Sequence, residues 1–483
     1  MVAPPRQTVD VDDRHYDLVI IGTGSGNSLI GPEMDGWRIA IVEKGVFGGT
    51  CLNRGCIPTK MMVRAADMAE YAREADRLGV HTEFVGADWP AIVERVFGRI
   101  DPIAEGGRQY RHSLPHVDVY EHAARFVGER AIDVGGVVIT GDQVVIAAGA
   151  RSFVPDIPGL DTVPFHTSDS VMRLPELPRH LVIIGGGFIA AEMAHVFGGL
   201  GSAVTIVNRG HLLLRAEDHD VARRFTDLAS ERHDVILGAS VERIERIDGA
   251  DPHESGVRVH LVGDDGQRVV EGDVLLIAAG RVPNGDELDC AAAGIDCDPT
   301  GAVVVDAFGR TSAPGVWALG DVNGRHQLKH MANGEARAVR HNLSHPDDLR
   351  PYDERPAPHA VFAHPQIGAV GLTEQAAIER RAATGEPYVT ITQPYGAAAY
   401  GWAMEDTTGF CKLIGDPSTR RVLGAHVVGY QASMLVQLVV MGMHLGHTAD
   451  EMATGQIWIH PALSEVVEQA LIALTEAMDA AAG

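Results

Sequence analysis

Cysteine is scarce in this chain: there are five in 483 residues, too few for a framework of disulfides. Positive charge is scarce as well. Lysine and arginine number 40 against 65 aspartates and glutamates, a formal net charge of -25. Such a surface repels phosphate backbones and anionic headgroups. It excludes nucleic acid and membrane as partners and leaves solubility as the reading of the acidity. Long apolar runs are missing too. The longest, Met434 to Leu445, is too short to span a bilayer and contains Gln437 and His444. The opening MVAPPRQTVDVDDRHYD has no apolar run of the kind a signal peptide carries, so the protein is expected in the cytoplasm. Hydrophobic residues nevertheless make up 45% and charged residues 22%. Those are ordinary values for a globular chain with a large core, and the length suits about three domains.

Two of the cysteines stand close together, in Gly48-Gly49-Thr50-Cys51-Leu52-Asn53-Arg54-Gly55-Cys56-Ile57-Pro58-Thr59-Lys60. Spacing alone admits chance, a structural staple or a redox pair. Ile57 and Pro58 suit a helix start, because proline's fixed φ fits the first turn and its missing N–H costs nothing there. Cys56 then sits at a helix N-terminus, where the dipole favours a thiolate, with Cys51 one loop earlier. In a reducing compartment a close pair points to catalysis rather than structure. Cys290, Cys297 and Cys411 have no such context and read as ordinary buried or surface thiols.

Two glycine turns follow short β-rich runs. Tyr16 to Ile21 leads into Gly22-Thr23-Gly24-Ser25-Gly26-Asn27, and a second strand, Arg38 to Val42, ends at Glu43. A glycine turn between strand and helix lets backbone N–H groups reach a pyrophosphate at the helix N-terminus, and the carboxylate suits a ribose 2′-OH. Here Asn27 stands at the third glycine position of the usual G-x-G-x-x-G, and Gly26 is an extra glycine. The second unit runs from Leu181 to Ile184 into Gly185-Gly186-Gly187-Phe188-Ile189-Ala190, with its second strand at Ala203 to Val207. Asn208 follows where an NAD-specific unit places a carboxylate, and Arg209 and Arg215 come next. Guanidinium forks suit a phosphate. Two such turns about 160 residues apart call for two dinucleotides, or for one duplication with a dead copy; both copies look intact, which favours two ligands. Periodic, alanine-rich sequence predicts a helix from Pro58 through Leu78, another at Trp89 to Arg111, and short strands from Val117 to Val145.

The dithiol string and the two turns together resemble the flavin-dependent pyridine nucleotide–disulfide reductases, over about residues 16 to 475. The resemblance implies an α/β fold: two Rossmann-like dinucleotide-binding domains, for FAD and NADPH, and a C-terminal α+β dimerisation domain. The FAD domain would comprise residues 1–150 and 274–348, the NADPH domain 151–273 and the interface domain 349–483. Pro-rich Leu349 to Pro358 reads as the linker, and Ser433 to Leu445 as an interface helix. FAD would be held by Gly22, Gly24, Gly26, Asn27, Glu43, Gly49, Thr50, Lys60, Gly149 and Asp321, with Asp321 at the position that meets the ribityl chain. NADPH would be held by Gly185, Gly187, Phe188, Ala190, Asn208, Arg209, Arg215 and Gly280. Phe188 stands where relatives often carry a tyrosine lid.

The resemblance also implies the chemistry. NADPH reduces FAD, and the flavin reduces a Cys51–Cys56 disulfide. Cys56 is the flavin-side thiolate and Cys51 the thiol that attacks the substrate. Lys60 and Glu192 match an ion pair beside the flavin, which would stabilise its reduced charge. His460-Pro461-Ala462-Leu463-Ser464-Glu465 resembles the family's motif in which the histidine comes from the partner of a homodimer. Glu465 would fix its tautomer. The implied partners are a small-molecule disulfide and a second copy of the chain, and no metal is required. No cysteine follows Cys411, unlike mercuric reductases and large thioredoxin reductases, which end in a cysteine or selenocysteine pair. Dihydrolipoamide dehydrogenases and glutathione-type reductases share the catalytic residues. A flavin-binding redox sensor without turnover keeps both turns but has no need of His460 and Glu465. Steady-state coenzyme consumption with a disulfide separates it from an enzyme.

Overall fold

A computed structural model describes residues 14–248, 256–264 and 266–482. The opening stretch read above for a leader lies outside them up to residue 13. The chain divides into two compact units. The first comprises residues 1–58, 93–153 and 281–354, and the second residues 59–92, 154–280 and 355–483.

The first unit is built on a seven-stranded sheet. Its parallel part runs Val117–Tyr120, Ile39–Val42, His15–Ile21, Val137–Ile146 and Val316–Ala318. Leu18, Val19, Ile20, Val144, Val145 and Ile146 are all fully buried. Parallel strands are covered on both faces, so they read as unbroken apolar runs rather than alternating ones. The expected helix after the first glycine turn is absent. Only two 3-10 turns, Gly26–Ser28 and Pro32–Met34, separate His15–Ile21 from Ile39–Val42. Gly31 is extended there, and a residue before proline is biased away from helix.

The second unit carries the other parallel sheet, in the order Asp234–Ile236, Ala203–Val207, His180–Ile184, Val274–Ile277. The helix Phe188–Leu200 follows its glycine turn as expected. A five-stranded antiparallel sheet runs His359–Val361, Ile367–Gly371, Arg421–Val428, Phe410–Asp416, Val389–Pro394. The helices Ala432–Leu445 and Glu465–Ala482 pack on it. Residues 349–358 hold no helix or strand. Within this unit Lys412 lies buried on the strand Phe410–Asp416, bonded to Asp218, Asp220 and Glu374. The fold is thus α/β with two Rossmann-type sheets and an α+β C-terminal part.

Candidate active site

In the first unit, the dithiol rests on the nucleotide turn. Gly49 has φ +68°, and a Cβ there would stand 2.6 Å from the Gly24 Cα. Only glycine permits that backbone contact. Thr23 continues the link: its hydroxyl accepts from the Gly48 N–H at 3.2 Å and donates to Glu43 Oε2 at 2.6 Å. Cys51 lies in a short helix, Gly49–Asn53, rather than a loop. Asn53 Nδ2 ties that helix back by donating to the Phe47 carbonyl at 2.8 Å. Gly55 then lets the chain fold tightly, since a Cβ would meet the Thr50 carbonyl oxygen at 2.9 Å. Cys56 opens the helix Cys56–Glu74, as the sequence predicts.

Both cysteines are free thiols, Cys56 exposed and Cys51 half-buried. Their hydrogen bond, and then burial, hold the Cys51 thiol far above its ordinary range, while Lys329 pulls it down. Lys329 is a residue the sequence reading missed. It opens the helix Lys329–Ser344 and donates to the Ser25 hydroxyl at 2.9 Å, in the same glycine turn.

The turn fits a dinucleotide. A Cβ at Gly22 would collide with the Ala147 carbonyl oxygen at 2.4 Å, so the first glycine is a packing requirement. Gly26 packs against Ile20 and Ala147, with a Cβ only 3.0 and 2.9 Å away. That is the close-packing role the usual third glycine performs. Asn27 instead receives Arg111, whose Nε donates to Oδ1 at 2.7 Å. Glu43 ends its strand beside the turn and also accepts from the Gly45 N–H at 2.8 Å. Gly149, at φ +68°, has nothing within 4 Å of a Cβ. Asp321 has no side-chain partner among the described residues, and burial pushes its carboxyl above the ordinary value. An open backbone and a carboxylate with no side-chain hydrogen bond are what an FAD would fill.

In the second unit, Lys60 Nζ meets both oxygens of Glu192, at 2.6 and 2.7 Å. Glu192 is buried and also accepts the Phe362 N–H at 2.9 Å. The Lys60 ammonium lies 4.7 Å over the Phe362 ring, a cation–π contact. The second glycine turn packs as the first does: a Cβ at Gly185 would stand 2.2 Å from the Ala278 carbonyl oxygen. Gly187 and Gly280 have nothing within 4 Å. Gly187 caps the helix Phe188–Leu200, whose Ala190 is buried and whose Phe188 is exposed. An open glycine at a helix N-terminus is a ready pyrophosphate site.

Asn208 points into its own turn, donating to the Gly210 and Leu212 carbonyls at 3.1 and 2.9 Å. Arg209 and Arg215 are exposed, and neither guanidinium has an ion-pair partner among the described residues. Phosphate-binding forks need that freedom.

His460 Nδ1 pairs with Glu465 Oε1 at 2.7 Å, and Glu465 Oε2 accepts the Ala462 N–H at 3.1 Å. The His460 hydrogen bond holds the Glu465 carboxyl below its ordinary value. The imidazole is 70% exposed, so Nε2 is presented outward. Nearby, the helix Ala432–Leu445 buries Leu435, Val436, Val439 and Val440 but exposes Met434, Met441 and Leu445. Ile457 and Ile459, just ahead of His460, are exposed too. Grouped apolar exposure marks an interaction surface.

Known proteins are similar to this chain over most of its length. Residues 16–336 match the family described as pyridine nucleotide-disulphide oxidoreductase, and residues 357–471 match its dimerisation domain. The chain is 49% identical over 470 residues to mycothione reductase of Mycobacterium tuberculosis, covering 95% of this chain and 99% of that one. It is 33% identical to glutathione reductase of Burkholderia cepacia, covering 93% and 97%. The solved HOCl-induced flavoprotein disulfide reductase RclA of Escherichia coli superposes with a TM-score of 0.81 at 33% identity, covering 95% of this chain and 99% of that one. Among the described residues, no helix is long and apolar enough to cross a membrane. With its dithiol, its two nucleotide turns and its dimerisation domain, the chain is an FAD- and NAD(P)H-dependent disulfide oxidoreductase and belongs to the pyridine nucleotide–disulphide oxidoreductase family.

Proposed function

We propose that the protein reduces mycothione, the disulfide of the cysteinyl glucosaminyl-inositol thiol mycothiol, using NADPH. The observation that carries the substrate is the 49% identity, over 95% of this chain, with a protein named for that reaction. Gly24, Glu43, Gly149 and Asp321 would hold FAD, and Gly187, Arg209 and Arg215 would hold NADPH. FAD, when bound, supplies the route by which the coenzyme's electron pair reaches the Cys51–Cys56 disulfide.

The remaining steps belong to the chain itself. The Cys51 thiol is held well above its ordinary range, so its attack on a disulfide needs an acceptor for the proton. His460 of the partner subunit, oriented by Glu465, takes that proton. The Cys51 sulfur bonds to one sulfur of the substrate, and the substrate S–S bond breaks. The leaving thiolate takes the proton from His460 of the partner subunit and departs as the first thiol. Cys56 then attacks the Cys51 sulfur, the Cys51–Cys56 bond re-forms, and the second thiolate leaves and is protonated from solvent. Lys60, held by Glu192, would offer a cation to the reduced flavin.

A panel of mycothione, glutathione disulfide and lipoamide tests the substrate. Mycothione should exceed both others in kcat/KM by about 10²-fold or more, toward the roughly 10⁴-fold of a site that hydrogen-bonds groups the others lack. Equal or better turnover of glutathione disulfide or lipoamide would overturn the assignment. The shared site has its own test. Mixing inactive His460→Ala and Cys51→Ser subunits should restore activity, since a hybrid dimer keeps one intact site. No recovery despite measured subunit exchange would place the histidine and the dithiol in one chain.

A further inference from the structure

Two of the three remaining cysteines meet. Cys290 begins a 3-10 turn, Cys290–Ala293, which ends at Gly294 with φ +71°. The Ile295 N–H returns to the Cys290 carbonyl at 3.0 Å, so the chain reverses. Cys297 follows, in an antiparallel bridge with Val303. Both sulfurs converge on Gly285. Cys290 Sγ donates to its carbonyl at 3.3 Å, and Cys297 Sγ lies 3.3 Å from where a Cβ on Gly285 would stand. The two thiols are close enough to perturb each other, Cys297 raising the Cys290 thiol and Cys290 lowering the Cys297 thiol. Cys290 is buried and Cys297 exposed. Both are free thiols, one buried and one at the surface, and they lie near one another. Positive φ at Gly294 brings them together.

We propose that Cys290 and Cys297 form a second oxidisable dithiol, separate from the catalytic pair, which low-molecular-weight disulfides close to an intramolecular disulfide. The exposed Cys297 thiolate attacks a disulfide R–S–S–R, forming Cys297–S–S–R. The departing R–S⁻ takes up the proton that Cys297 lost. Cys290 then attacks the Cys297 sulfur, displacing the second R–S⁻, which takes the Cys290 proton. One small disulfide is reduced to two thiols, and the two cysteines are oxidised to one bond.

The surroundings set the rate and the persistence. Burial pushes the Cys290 thiol up to about 12. Burial, and the carboxylates of Asp298, Asp286 and Asp296, push the Cys297 thiol up as well, against the opposing influence of Cys290. Thiols with little thiolate react slowly. A dithiol whose thiolates are not stabilised also yields a disulfide that resists reduction. The pair therefore closes slowly and stays closed, which suits a lasting response to oxidation and not a turnover centre. The closure fixes the stretch against Gly285. The adjacent Asn284 donates its N–H to the Gly149 carbonyl at 3.0 Å and its Nδ2 to the Ala148 carbonyl at 2.8 Å. Oxidation should stiffen this part of the first unit.

The test uses the holoenzyme incubated with excess oxidised glutathione, then alkylated, digested without reductant and mapped by mass spectrometry. A peptide joining Cys290 to Cys297 should accumulate well after Cys51 and Cys56 have closed. The treated protein should melt about 2 °C or more above an equally treated Cys297→Ser variant, which should turn over like the unsubstituted enzyme. The proposal is overturned if Cys297 stops at a stable mixed disulfide. It is equally overturned if both thiols remain open to alkylation throughout, or if the linked protein melts no higher than the variant.

Discussion

Lys412→Met tests what fastens the second unit. The Lys412 side chain is 2% exposed and donates to Asp218 Oδ1 at 2.9 Å, Asp220 Oδ2 at 2.6 Å and Glu374 Oε2 at 2.6 Å. Asp218 is fully buried and also accepts the N–H groups of Glu374 and Asp220, at 2.9 and 3.1 Å. Burial opposes both charges. The hydrogen bonds nonetheless hold the Lys412 ammonium above its ordinary range and the Asp218 carboxyl below its own. Methionine keeps the length of the lysine stem and loses the charge. Asp220 and Glu374 can turn to water at little cost. Asp218 cannot, and removing one member of a buried pair costs about 3–5 kcal/mol. That is a large part of a typical stability of about 5–15 kcal/mol.

Urea unfolding of the holoenzyme between pH 7 and pH 4.5 is the assay. In the parent, the depressed Asp218 value contributes stability above the unfolded carboxylate range, lost as pH falls through the folded value. In the variant the uncompensated carboxyl shifts upward and neutralises sooner. The gap between the two proteins should therefore shrink as pH falls. Lys412→Met with Asp218→Asn should recover most of the loss. A variant within about 0.5 kcal/mol of the parent at pH 7, the size of an ordinary surface change, would refute the reasoning. So would a gap that widens in acid.

Arg209→Ala with Arg215→Ala should lower kcat/KM for NADPH by about 10²-fold and leave NADH nearly unchanged, because neither arginine has a protein carboxylate to orphan. Equal losses for both coenzymes would contradict it. Glu465→Ala should cut turnover of the disulfide by about 10²-fold through a disoriented His460, while rapid mixing shows normal flavin reduction by NADPH. Because the Glu465 value is depressed, the His460–Glu465 pair should persist above the ordinary carboxylate range and fail only in stronger acid. Lys329→Met should move the Cys51 thiol's ionisation in the reduced enzyme to higher pH, read from the pH dependence of its alkylation, because Lys329 pulls that thiol down. An unmoved midpoint would remove Lys329 from the site.

Much of this was legible in the chain because its signals are local. Parallel strands such as Leu181 to Ile184 are buried on both faces, so their apolar runs announce them. The dithiol string and the His460–Glu465 spacing each lie within a few residues. The missing helix after Gly26 also had a local sign, Gly31-Pro32, outweighed by the glycine pattern before it. What could not be read depends on distant partners. Lys329 meets Ser25 across 304 positions, and Lys412 meets Asp218 across 194. The Cys290–Cys297 contact needs only seven positions, but it depends on a left-handed Gly294, which no pattern of residue types reveals. That Asn208 puts no carboxylate at the end of its strand is plain in the sequence, yet its hold on its own turn follows only from the backbone around it.

The most direct test of the central claim, that Cys56 is the flavin-side thiolate and Cys51 the thiol that meets substrate, is an anaerobic NADPH titration of the two cysteine variants followed by absorbance. Cys51→Ser should show the long-wavelength band of a thiolate against oxidised flavin before any coenzyme is added, and Cys56→Ser should show none at any stage. The band in Cys56→Ser, with none in Cys51→Ser, would reverse the two roles and contradict the account.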